Sequence, residues 1–236
     1  MFIIYQITIS LLVIFSPIIF VYRIFKNKED IKRLTEKFSF PSVDKKNGKL
    51  IWFHCASVGE IMSIIPLIEY YEKKKSIKQI LVTSSTVSSS KILKKFNLNK
   101  TNHQFFPIDH IFFTNKFLKY WKPSLAIFVE SEIWPCFFKN LKKNNIPLIL
   151  LNARLTKKTF RKWMNIKNFA KSIFNLITIS YPQNLETISY LKKLEVKKIK
   201  NIGNLKFINN NANKSSTKDD KLKKILKNKK IWVASS

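Results

Sequence analysis

Residues 2–22 carry no charge, and nearly all of them are apolar. A run of that length is enough to cross a bilayer's hydrocarbon core of about 30 Å. Basic residues follow at once (Arg23, Lys26, Lys28, Lys32, Arg33) and none precedes. That asymmetry keeps the following segment on the cytoplasmic side. A helix lying in one leaflet is the alternative, since Gln6 and Pro17 weaken a span. Beyond it the pattern changes to short apolar runs separated by longer mixed segments. The runs 50–54, 79–83, 103–106, 125–130, 147–151 and 176–180 predict strands. The segments 60–75, 88–96, 110–120, 133–144, 157–173 and 183–193 predict helices. Alternation of this kind, with strands apolar throughout, means an α/β fold with a parallel sheet covered on both faces.

Boundaries follow from the same pattern. Residues 1–22 read as a membrane anchor, and 23–49 as a basic connector with a helix near 29–37. Residues 50–207 form the sheet domain, and 208–230 a polar linker. Residues 231–236, Ile-Trp-Val-Ala-Ser-Ser, begin like another buried strand, so the sequence reads as cut at the opening of a further domain.

The first apolar run leads into the most informative stretch, Leu50-Ile-Trp-Phe-His-Cys-Ala-Ser-Val-Gly-Glu60. It predicts strand, turn and helix, the helix kinked at Pro66. Ser57 and Glu60 have the spacing of a capping box. The same spacing puts a carboxylate beyond the carboxyl end of a strand, where open α/β sheets bind ligands. Gly59 is one of only three glycines in the chain, which predicts a positive φ or a close approach of backbone to ligand.

Charge adds a constraint. The formal net charge is +30, yet arginine occurs only at 23, 33, 154 and 161. Base reading favours bidentate arginine, so no nucleic-acid partner is expected. Two sources remain for the lysine excess: codon usage in an AT-rich genome, or attraction to an anionic membrane surface. Cys55 and Cys136 form no CxxC pair, which fits reduced thiols. His54, His103 and His110 lack metal-site spacing and read as structural. No cofactor and no metal are called for.

Further polar groups gather at predicted strand ends. Phe128-Val-Glu-Ser-Glu-Ile-Trp-Pro135 places Glu130 and Glu132 after one strand. Leu151-Asn-Ala-Arg-Leu155 places Arg154 after the next, and Thr83-Ser-Ser-Thr86 offers hydroxyls after another. Gly203-Asn-Leu-Lys206 adds a lysine. Each alone fits a cap or an ion pair, and Glu132 with Arg154 reads as a supporting pair. In a parallel sheet all of them fall on one rim.

Taken in order, Trp52–Glu60, Val129–Pro135, Asn152–Leu155 and Gly203–Phe207 resemble the 3-deoxy-D-manno-octulosonic acid (Kdo) transferase family. The resemblance implies the N-terminal half of a GT-B fold, a Rossmann-like domain preceded by a membrane-anchoring helix. It implies an inverting glycosyltransferase that moves Kdo from CMP-Kdo to the lipid A precursor, lipid IVA, in lipopolysaccharide core biosynthesis. The place it implies is the cytoplasmic face of the inner membrane. Glu60 is then the general base, with Glu130 and Lys206 stabilising charge at transfer. In such proteins the C-terminal domain supplies most of the CMP contacts. The competing expectation is an inactive membrane-bound remnant or scaffold lacking the donor-binding domain.

Overall fold

The computed structural model describes residues 1–205. The six apolar runs form one parallel sheet of β1 (Lys49–His54), β2 (Ile77–Ser84), β3 (Thr101–Phe105), β4 (Leu125–Val129), β5 (Leu148–Ala153) and β6 (Ile179–Pro182). Their order is β3-β2-β1-β4-β5-β6. Ile51 of β1 lies opposite Ile80 of β2 on one side and Leu125 of β4 on the other. The chain thus builds outward from β1 in one direction and then from β4 in the other. This is the Rossmann-like order, with its switch point between β1 and β4. Leu50, Trp52 and Phe53 are fully buried, as both faces of a covered central strand require.

Helices α2 (Val58–Glu72), α3 (Val87–Leu93), α4 (Ile111–Trp121), α5 (Pro135–Lys143) and α8 (Leu185–Lys193) fall where periodicity predicts them. The helix expected over 157–173 is instead two, α6 (Lys157–Met164) and α7 (Lys167–Phe174), with Ile166 between them in a non-helical conformation. The two have different surfaces to cover. α7 buries Phe169, Ala170, Ile173 and Phe174 in the core, whereas α6 buries no residue fully. Phe160 of α6 stacks on Tyr190 of α8, ring centroids 4.2 Å apart. The last strand also begins later than expected, because Leu176 and Ile177 still bond back to the end of α7.

The N-terminal apolar run is a helix, α1 (Phe2–Phe25), which Pro17 does not interrupt. Positions 2, 5, 6, 9, 10, 13, 16, 20, 23 and 24 are the covered ones, a single stripe at helical spacing. At one end the Tyr5 hydroxyl donates to Asp109 at 2.7 Å. Ser10 lies 3.2 Å from the His110 ring. Near the other end Phe20 meets Phe38 edge-on at 5.7 Å, and Arg23 pairs with Glu29. The opposite face leaves Ile3, Ile7, Leu11, Ile14 and Ile18 more than half exposed. At about 1.5 Å per residue the helix runs roughly 36 Å, and it lies against the sheet domain along that length.

Residues 23–49 hold this helix in place as well as connecting it. A 3-10 helix (Ile31–Phe38) covers β3, an edge strand of the sheet. Arg33 makes a bidentate pair with Glu36 at 2.7 and 3.0 Å and donates to the His103 carbonyl at 2.8 Å. The other role of Glu36, fully buried, is to accept the Phe105 amide at 2.6 Å. An edge covered in this way cannot pair with another chain.

Candidate active site

The connections after β1 and β4 meet at the switch point, and they bring Glu60, in the first turn of α2, together with Glu130 and Glu132 to the carboxyl rim of the sheet. Ser57 is the N-cap of α2 and accepts from the Glu60 amide at 3.3 Å. The Glu60 carboxylate reaches back, accepting from the Ala56 amide and from the Ser57 hydroxyl, each at 2.8 Å. The capping geometry is therefore present. Its surroundings exceed what a cap needs. Glu60 is buried, and burial pushes its carboxyl above its ordinary value. The Ala56 and Ser57 bonds oppose that shift, and the charges of Glu132 and Glu130 reinforce it. The same three carboxylates act on Cys55, whose thiol is pushed up first by complete burial.

Glu130 stands at the end of β4 with φ of 58°. The left-handed region is costly for a side-chain-bearing residue and persists only where the surroundings impose it. Here the Glu130 amide bonds to the Leu151 carbonyl at 2.9 Å. The Ser131 hydroxyl bonds to the Arg154 carbonyl. Asn152, at the end of the adjacent strand β5, has φ of 49°. Two neighbouring strand ends are thus bent together beside the rim.

Glu132 departs from expectation. Its partner is His54 rather than Arg154: Oε2 lies 3.1 Å from Nε2 of the fully buried His54, and accepts from the Trp134 indole at 2.9 Å. His54 and Trp134 outweigh burial and hold the Glu132 carboxyl below its ordinary value. Arg154 is exposed at the rim, where its side chain has no partner among the described residues. The polar role of His54 was not legible in the sequence, although its place closing an apolar strand five residues before Gly59 was a signal.

The positive φ expected at Gly59 is not found, and a Cβ there would meet no protein atom within 4 Å; of the two reasons for a glycine, a close approach of backbone to ligand is the one that stays open. Thr83 is fully buried and part of the His54 network, not a rim hydroxyl. Thr86 caps α3. Lys206 lies outside the described residues. Among those described, no group of three or more His, Cys, Asp or Glu is arranged to hold a metal ion.

The family model for 3-deoxy-D-manno-octulosonic-acid transferase matches residues 32–209. A 3-deoxy-D-manno-octulosonic acid transferase from Rickettsia bellii is 37% identical over 98% of this chain and 55% of its own length. One from Haemophilus influenzae is 28% identical over 96% of this chain and 55% of its own. The chain spans about half the length of the curated relatives it matches. In fold it is similar to a UDP-GlcNAc 2-epimerase from Neisseria meningitidis, with a TM-score of 0.52 and 12% identity over 75% of this chain and 53% of that one.

Proposed function

This chain belongs to the 3-deoxy-D-manno-octulosonic-acid transferase family, and from that membership we propose that it carries the acceptor side of a site transferring Kdo from CMP-Kdo to the lipid A precursor. One observation carries the reading: a carboxylate, Glu60, sits at the switch point with its carboxyl pushed up by burial, an effect that Glu132 and Glu130 beside it reinforce. A sugar hydroxyl attacks poorly until its proton has a place to go, and a base with a raised pKa takes that proton more readily. In the step proposed, the acceptor oxygen bonds to the anomeric carbon of Kdo as the bond from that carbon to the CMP phosphate breaks. The hydroxyl proton passes to Glu60, and CMP leaves with the electron pair. The roles proposed for Glu130 and Lys206 are to stabilise the positive charge that develops at the sugar and the negative charge on the departing phosphate. Full-length protein given CMP-Kdo and lipid IVA is expected to release CMP and yield an acceptor heavier by Kdo. Folded protein that releases no CMP with this pair would refute the reading.

The setting proposed is the cytoplasmic face of the inner membrane, with α1 lying in the membrane surface. Were α1 to stand across the bilayer, the sheet domain docked along it would enter the hydrocarbon too. Lying flat, its exposed apolar face enters one leaflet, as in-plane helices do. The Tyr5 and Ser10 contacts lie beside Asp109 and His110, in the loop after β3 on the carboxyl rim. That arrangement brings a lipid-borne acceptor to the rim. Replacing Ile7, Leu11, Ile14 and Ile18 with serine spares the docked face of α1. The variant is expected to leave the membrane pellet in high salt while wild type stays. Identical partitioning of the two would exclude this role for α1.

A further inference from the structure

His54 is fully buried, yet both ring nitrogens have polar neighbours. Nε2 faces Glu132 Oε2 at 3.1 Å. Nδ1 faces the Thr83 hydroxyl at 3.1 Å and the Thr83 carbonyl at 3.3 Å. The ring lies flat on Phe106, centroids 3.6 Å apart. Thr83 Oγ1 also accepts from the Trp52 indole at 2.9 Å.

Proton counting orders this network. An ionised carboxylate only accepts, so Nε2 must carry a hydrogen. Burial disfavours a second proton on the ring and holds the imidazole below its ordinary value. Nδ1 is then bare and accepts from the Thr83 hydroxyl, whose other acceptor, the Phe53 carbonyl, is farther away at 3.3 Å; the Thr83 carbonyl, also 3.3 Å from Nδ1, takes its hydrogen from the Cys55 amide at 3.0 Å instead. Every donor finds one acceptor: Trp52 to Thr83, Thr83 to His54, His54 to Glu132. With Trp134 donating to the same Oε2, Glu132 keeps Oε1 for whatever enters the rim. The titratable groups around the pair are Glu60, Glu130 and Cys55.

We propose that His54 is a positioning residue: as the neutral Nε2–H tautomer it fixes Glu132 as an ionised, oriented carboxylate beside Glu60. The consequence for transfer rests on the functional reading above; the tautomer does not. Residues before a site act by holding a charge where the reacting atoms need it, and misplacement by about 1 Å can cost on the order of 10²-fold.

The test has two arms. Nitrogen-15 spectra of histidine in the 236-residue chain in detergent micelles should give His54 as neutral and Nε2-protonated at pH 7. An Nδ1-protonated or doubly protonated ring would overturn the proposal, whether or not transfer is detected. The second arm compares His54→Phe with His54→Gln in full-length protein. Phenylalanine keeps the stack on Phe106 and loses the donor; glutamine keeps a donor and loses the ring. His54→Phe is expected to lose about 10²-fold in kcat with KM little changed, while His54→Gln retains most turnover. The reverse order, Phe active and Gln inactive with both folded, would make His54 a packing residue and overturn the proposal. Should His54→Phe fail to fold, the spectra still decide.

Discussion

Glu60→Gln is expected to lower turnover by about 10²–10⁴-fold, or roughly 3–5 kcal/mol in the barrier, without lowering the melting temperature. The two readings of this residue part on stability. Were Glu60 only a cap, glutamine would serve nearly as well, turnover would hold, and any cost would fall on stability. The site predicts the opposite pattern. A carboxyl raised in the folded state contributes stability below its unfolded value that is lost as pH rises through its folded value. At neutral pH an ionised Glu60 therefore opposes folding, held beside Glu130 and Glu132 in a buried position. Removing its charge should leave stability equal or higher, a trade often met at catalytic groups. The acidic limb of the wild-type rate profile should lie above the ordinary glutamate range. Thermal melts and CMP release measured on one preparation check both halves. Near-normal turnover by folded Glu60→Gln would remove it from the base role.

The strand and helix pattern was legible because the sheet is buried on both faces, which leaves unbroken apolar runs such as Leu50–Phe53. The rim was legible because each run ends in polar residues and a parallel sheet sends all such ends one way. Other features depend on tertiary contacts that no local pattern encodes. The break at Ile166 arises because α6 and α7 cover different surfaces. Glu132 pairs across the switch point with His54, 78 residues away in sequence, where neighbouring Arg154 was the simpler guess. The left-handed Glu130 follows from bonds to β5 and has no mark in its own sequence. At Gly59 the positive φ did not follow, because rarity in a composition does not by itself fix a backbone conformation.

Trp52→Ala is expected to cost about 3–5 kcal/mol of stability, the range for deleting a buried large aromatic side chain. Trp52 is fully buried on the central strand β1. Its ring lies 4.7 Å from Phe117, 5.0 Å from Phe128 and 5.1 Å from Phe137. These come from α4, β4 and α5, so the vacated volume borders three elements and cannot close by moving one. Deletion also leaves Thr83 Oγ1 without its indole donor. Trp52→Phe separates the two contributions, since it keeps most of the volume and loses the N–H; a cost of about 1 kcal/mol is expected for the hydrogen bond. Above Trp52, Phe106 carries the His54 ring and touches Phe137 at 4.8 Å. Loosening this layer should therefore reach the rim, so that Trp52→Ala loses turnover together with stability, whereas Glu60→Gln loses turnover alone. Urea unfolding of each variant measures the difference. A loss below about 1 kcal/mol for Trp52→Ala, against the range for such deletions, would mean that the aromatic layer is not the packed core that supports the site.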